Sequence, residues 1–212
     1  MDLKASQFLC SRICHDLIGP VGAVNAGMEL LSDLSVSDDE ALSLVADSAA
    51  QVIRRLEVYR VAFGIGGGTG PRALADARKL ARNLMAEGKV TLDWPDPIEE
   101  TLSSGGVKLV MNLVLLGHDS LPRGGTVAVR LADMAEGAGV AVIASGTGAR
   151  LKDGILAAMT RDDPGDELSA YTVAAYFAQQ LALSLGGRIE TSDEEDGEVR
   201  FAALLPREIT NE

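Results

Sequence analysis

Two heptad stripes near the N-terminus constrain this chain more than any other feature. Cys10, Cys14, Leu17, Val21, Val24, Met28 and Leu31 recur with spacing 4-3-4-3-4-3. Leu42, Val45, Ala49, Val52, Leu56, Tyr59 and Phe63 recur with spacing 3-4-3-4-3-4. That period belongs to an α-helix with one apolar seam. Ser37-Asp38-Asp39-Glu40 lies between the stripes and has the form of a capping box, a helix start signal. The first helix should fray near Leu34, so the link is short and the two helices are antiparallel neighbours. A single hairpin with two apolar stripes leaves its seam half in water. Pairing with a second hairpin closes a four-helix bundle and buries it, so a homodimer is the physical expectation.

The texture changes after residue 63. Gly64-Ile65-Gly66-Gly67-Gly68-Thr69-Gly70-Pro71 holds five glycines and a proline in eight residues, the composition of a flexible linker. A phosphate-binding loop is poorly supported, because no Lys-Ser/Thr follows the glycines and no Gly-x-Gly-x-x-Gly frame fits. The chain therefore divides into a hairpin over 1–64, a linker over 65–71 and a second unit over 72–212. In that unit a helical period runs from Leu74 to Met85 and stops at Gly88. Val90 to Trp94 reads as a strand, Val107 to Leu116 as a buried helix, and Thr126 to Leu131 and Val140 to Ile143 as strands. Thr172 to Leu185 is helical, and Arg188 to Thr191 pairs with Val199 to Leu205 across the acidic turn Asp193 to Gly197. The expected architecture is α then α+β: a helical hairpin followed by a layered sandwich of helices on a largely antiparallel sheet.

Composition excludes several functions. The 212 residues carry 19 basic and 31 acidic side chains, a formal net charge of -12. There is no basic footprint for nucleic acid, and an acidic chain repels anionic membranes. The longest nearly apolar run, Leu109 to Gly117, falls far short of the roughly 20 residues of a membrane span. Met-Asp-Leu-Lys at the start lacks the layout of a signal peptide. Two cysteines build no disulfide framework, which points to a reduced, cytoplasmic protein with Cys10 and Cys14 as small core residues of the seam. Only two histidines are present, His15 and His118, too few for a phosphohydrolase that holds its metal through His-Asp pairs. No Gly-x-Ser-x-Gly elbow supports a serine hydrolase.

His15 sits one step outside the seam, which turns it to solvent. Ser11, Arg12, Ile18 and Gly19 share its helical face, with Gly22 a turn further on. Pro20 cannot donate to the carbonyl of Asp16 and should kink the helix there. Gly-Pro-Val-Gly at a helix centre costs about 4–5 kcal/mol against alanine. Such a violation of local rules is expected at a functional site. The fitting chemistry is nucleophilic phosphotransfer. Free imidazole, with a reference pKa of about 6.5, is neutral enough to attack phosphorus. Asp16 is placed to hold one ring nitrogen, Arg12 to offset phosphate charge, and Gly19 and Gly22 to let a partner close over the ring. Equally compatible with periodicity alone is an exposed histidine without a task. His118, after the buried helix, reads as structural.

Cys14-His15-Asp16-Leu17-Ile18-Gly19-Pro20 resembles the phospho-accepting His-acid-x-x-x-Pro box of histidine kinases. The wider stretch from Leu9 to Asn25, with Arg60-Val61-Ala62-Phe63-Gly64, resembles ChpT-type histidine phosphotransferases of the alphaproteobacterial cell-cycle relay. The resemblance implies a dimeric phosphorelay intermediate that uses His15 and Asp16, with Ser11, Arg12, Ile18, Gly19 and Gly22 meeting receiver domains, and Arg54 to Leu56 adding contacts. Its implied partners are a CckA-like hybrid kinase as donor and CtrA-like and CpdR-like response regulators as acceptors. The chain itself would need no cofactor, since Mg2+ would come with the receiver. The second unit then resembles a degenerate histidine-kinase ATP-binding (Bergerat) domain. Asn112 matches the kinase pattern Asn-Leu-Leu-x-Asn-Ala-x-Lys, but Leu116 replaces its second asparagine and Asp119 its lysine. Ala144 replaces the aspartate of Asp-x-Gly-x-Gly, leaving Gly146 and Gly148 as turn residues. Asp162 to Glu167 stands where the glycine-rich lid belongs, and its carboxylates would repel a triphosphate. The expectation is therefore no ATP binding. The alternatives are an ATP-dependent kinase with divergent motifs and a non-catalytic dimeric scaffold.

Overall fold

The computed structural model describes residues 3–31, 38–65, 71–86, 88–96, 102–160, 165, 168–194 and 197–206. Ser37 of the capping box, the glycines over 66–70 and nearly all of the acidic run over 162–167 lie outside the described residues. The elements run α1 Leu3–Leu30, α2 Asp38–Phe63, α3 Pro71–Met85, β1 Val90–Asp93, α4 Ser104–Asp119, β2 Gly125–Met134, β3 Gly137–Ser145, α5 Ile155–Thr160, α6 Val173–Ser184, β4 Ile189–Glu194 and β5 Glu198–Pro206. Every element expected from the sequence is present. The short α5 was not expected: six residues hold too few turns to show a period.

The hairpin closes through small residues. A Cβ on Gly27 would stand 2.6 Å from Val45 Cγ2 and 3.3 Å from the Ala41 carbonyl, so only glycine permits this approach of α1 to α2. Along α1 the buried line is Ala5, Leu9, Pro20 and Gly27. Cys10 and Cys14 of the seam are exposed within one chain. The heptad stripe there is only partly covered: Val45, Tyr59 and Phe63 pack inside the chain, and Cys10, Cys14, Val21, Met28, Leu42 and Leu56 stay exposed. Ile53 is exposed with them.

The five strands form one sheet in the order β1-β2-β3-β5-β4, with β1 parallel to β2 and the other pairs antiparallel. Register explains its single dry face. Val127 lies opposite Ala144, Val129 opposite Val142, and Val142 opposite Phe201, all buried on the same side. α4 lies across that face, closest at Gly117, where a Cβ would stand 3.2 Å from Val142 Cγ1. Ser103 caps the start of α4 by accepting from the Gly106 amide at 3.2 Å.

The two expected units share a core. Val58 and Ala62 of α2 pack with Leu74, Ala77 and Ala81 of α3 and with α4. Asn112 Nδ2 donates to the Ala62 carbonyl at 2.7 Å, satisfying one of the last carbonyls of α2, which have no partner within the helix. A second patch joins the same end of the hairpin to the domain through its other helix. There Ala5 and Leu9 of α1 meet Ala158, Leu168, Val173 and Tyr176. His15 lies beyond this contact, less than two turns from Leu9.

Candidate functional site

His15 projects from the middle of α1 with its side chain 70% exposed. Neighbours on the same face leave it open. Ser11, Gly19 and Gly22 are exposed, and a Cβ built on either glycine meets nothing within 4 Å. Ile18 is 72% exposed. One contact comes from the C-terminal domain. The exposed ring of Tyr171 meets the imidazole edge-on, with centroids 6.4 Å apart.

Behind the imidazole, Asp16 is held from three sides. Its Oδ2 accepts from Arg12 Nε at 2.9 Å and from the Tyr59 hydroxyl at 2.6 Å. Oδ1 faces His15 Nδ1 at 3.4 Å. Burial alone would push the Asp16 carboxyl up, but hydrogen bonds from Tyr59, Arg12 and His15 and the Arg12 charge hold it below its usual range. An ionised carboxylate has no proton to give, so the contact with His15 requires the hydrogen on Nδ1, and in the neutral ring Nε2 then carries the free lone pair. Burial, reinforced by the bond to Asp16, raises Tyr59 above its ordinary value and keeps the phenol a donor.

The backbone at Asp16 shows what Pro20 does. Residue 20 has no N–H, so the Asp16 carbonyl lacks its helical donor. The Arg55 guanidinium of α2 takes that place and donates to it. Pro20 is buried against the hairpin partner, and α1 stays helical on both sides of it. The proline thus opens a bonding site that lets α2 grip α1 beside His15.

Arg12 corrects an expectation. Its spacing predicts a guanidinium on the face of His15, yet the side chain is 17% exposed and turned toward the C-terminal domain. There Nη2 donates to Asp119, the residue at the position of the kinase lysine. Burial opposes the Arg12 charge, but Asp119 and Asp16 raise its affinity for the proton further. Asp119 itself would be pushed up by burial, but His118 and Arg12 together hold it down at about 2. His118, 3.6 Å from Asp119 through Nδ1, is half-exposed. Sequence reasoning names Arg55 among added receiver contacts, Tyr59 in the seam and Asp119 at a broken kinase position, and it missed that the three converge on Arg12 and Asp16. The one signal available was the Arg12/Asp16 pair at i, i+4, a spacing that marks a helix-surface ion pair but names no third partner.

The positions that resemble a nucleotide site are otherwise occupied. Asn112 donates to the Ala62 and Lys108 carbonyls, with its Oδ1 buried and unpaired. Leu116 and Ala144 are buried in the core. Between α4, Lys152, Ile155 and Tyr171 the domain leaves a cavity of about 10 Å³. Among the described residues no group of three or more His, Cys, Asp or Glu side chains is placed to hold a metal ion. Nor is any described helix long and apolar enough to cross a membrane.

Comparison with known proteins decides the family. A family model, the histidine phosphotransferase C-terminal domain, matches residues 74–197, more than half of the chain. The chain belongs to the histidine phosphotransferase family. A curated relative, protein phosphotransferase ChpT of Brucella abortus (strain 2308), is 34% identical over 188 residues, covering 88% of this chain and 89% of that protein. Among solved structures, a bacterial phosphotransferase aligns with a TM-score of 0.83 at 31% identity, covering 96% of this chain and 97% of that one. The Acinetobacter baumannii histidine kinase AdeS aligns over 92% of this chain and 98% of that one, with a TM-score of 0.53. At 11% identity it shares the fold alone: a helical region followed by a kinase-like α/β domain. This histidine phosphotransferase therefore carries an α/β domain with the fold of histidine kinases, in which Leu116 and Ala144 are buried and Asp119 pairs with Arg12.

Proposed function

We propose that His15 is the phospho-acceptor of a phosphorelay between receiver domains. Nε2 attacks the phosphorus of a receiver's aspartyl phosphate, the acyl phosphate P–O bond breaks, and the receiver leaves with a free carboxylate. The ring keeps its proton on Nδ1, so the phosphorylated imidazole becomes cationic beside the Asp16 carboxylate, which offsets the new charge. Transfer to a second receiver reverses these steps. Mg2+ at the transferring phosphoryl group belongs to the receiver, and the chain itself takes no cofactor.

One observation carries this reading. The exposed imidazole of α1 stands beside bare backbone at Gly19 and Gly22, while a part-buried, anchored carboxylate meets its Nδ1. Receiver docking then uses Ser11, Ile18, Gly19 and Gly22, while Arg12 contributes from behind rather than on the docking face. The exposed apolar stripe through Val21, Met28, Leu42, Ile53 and Leu56 supports a homodimeric four-helix bundle. The partners implied are a CckA-like hybrid kinase as donor and CtrA-like and CpdR-like response regulators as acceptors. Two free thiols suit the cytoplasm. Support for nucleotide independence comes from Leu116 and Ala144, apolar and buried at positions where the resembling kinase motifs carry asparagine and aspartate.

The test is transfer from a receiver domain phosphorylated with acetyl phosphate and Mg2+. The full chain should gain acid-labile label and His15→Ala none. Absence of label on the native chain would overturn the acceptor role. Calorimetric titration with ATP should show no binding, and micromolar affinity would return the chain to the autokinases.

A further inference from the structure

Asp119 and Arg12 stand outside the transfer chemistry, yet they are joined to it through Asp16. Arg12 reaches across the junction of hairpin and C-terminal domain, with Nε on Asp16 Oδ2 at 2.9 Å and Nη2 on Asp119. A guanidinium fork pinned at both ends has one geometry, whereas a long side chain released at one end regains its rotamers. Asp16 would then keep only the Tyr59 hydroxyl on Oδ2 and would be freer to turn about χ2. Turning moves Oδ1 away from His15, and at 3.4 Å that contact has little slack.

We infer that Arg12 and Asp119 are positioning residues: Asp119, on the C-terminal domain, holds the Arg12 fork so that Asp16 Oδ1 stays aimed at His15 Nδ1 and Nε2 stays the free nitrogen. The inference rests on the reading of His15 as acceptor only for its effect on rate. Its direct consequence is the tautomer of an exposed ring on α1, set by Asp119 at the end of α4, which lies 107 positions from Arg12 in sequence. The C-terminal domain thereby takes part in the acceptor's preparation from behind, through a carboxylate at a position where the resembling kinases carry lysine.

The experiment labels the full chain with 15N-histidine and reads the ring nitrogens of His15 in mildly alkaline buffer, with His15→Gln to assign the signals by their loss. The native chain should show Nδ1 protonated and Nε2 bare. Asp119→Asn and Arg12→Lys should move His15 toward the mixed tautomers of free imidazole. Asp119→Glu, which keeps the charge, should restore much of the native pattern. In single-turnover transfer from the phosphorylated receiver, Asp119→Asn should lower the maximum rate roughly tenfold or more. The receiver concentration at half-maximum should stay within about twofold, since the docking face is untouched. A native tautomer in folded Asp119→Asn overturns the inference, whatever the rate does. A shifted tautomer in a chain that takes no label supports the positioning and overturns the acceptor role alone.

Discussion

α4 buries ten of its sixteen residues, and α1 buries four of its twenty-eight. α4 is covered by the sheet on one side and by helices α2, α3 and α6 on others, so nearly every side chain it carries is there for packing. α1 is covered by α2 along one line and by α6 near its start, and the rest of its surface faces outward. The difference teaches where each region can tolerate change. In α4 a lost methylene leaves a hole. In α1 a lost side chain is felt by whatever docks there.

The sharpest break of this comparison pairs Leu113→Ala with His15→Ala. Leu113 is fully buried, and its truncation should cost about 2–5 kcal/mol of stability, read by urea unfolding. Transfer by the fraction that stays folded should persist. His15→Ala removes an exposed ring, so the unfolding midpoint should barely move while labelling disappears. A large stability loss in His15→Ala, or none in Leu113→Ala, would mean that the two helices do not divide their work in this way.

The joint between the regions should be sensitive to acid. Asp119 is held at about 2 in the folded chain against 3.8 ordinarily. A depressed carboxyl adds stability that is complete above the unfolded value and disappears as pH falls through the folded one. The window is therefore pH 4 down to about 2, and the contribution is at most about 2 kcal/mol. Asp16 shifts in the same direction and adds to the same window. Stability of Asp119→Asn should fall less steeply across this range than that of the native chain. Parallel curves would show that the ion pair does not bind the hairpin to the domain.

How much of this was legible in sequence differs between the regions for the same physical reason. Periodicity reports which side of an element is apolar, so α3, α4 and the strands could be placed, although α4 extends over Ser104–Asp119 beyond the expected 107–116 and β3 over Gly137–Ser145 beyond 140–143. In the hairpin it revealed the apolar stripe, and the small residues beside it marked His15 as a place where local rules yield. It did not show which neighbour covers a stripe, and so Cys10 and Cys14 were assigned to a core that one chain does not supply. Nor did it reveal where a long polar side chain ends. Arg12 shares a face with His15 by spacing, and only the fold brings Asp119 to its other end. Pro20 was legible as a missing donor, whereas Arg55 as its replacement was not.

The smallest expected effect bears on the same contrast. Gly22 has open space where a Cβ would go, and no local contact demands glycine there. Gly22→Ala should stabilise α1 by about 1 kcal/mol, by lowering the backbone entropy lost on folding. Gly27→Ala, three and a half angstroms or less from Val45 and Ala41, should do the opposite, because its Cβ has nowhere to go. If the bare backbone at Gly22 serves receiver approach, the stabilised variant should need a higher receiver concentration for half-maximal transfer while its tautomer at His15 stays native. A Gly22→Ala chain that is more stable and equally well docked would place the receiver elsewhere on the hairpin. It would leave this glycine without a role that the structure explains, and it would shift the docking surface toward Ser11 and Ile18.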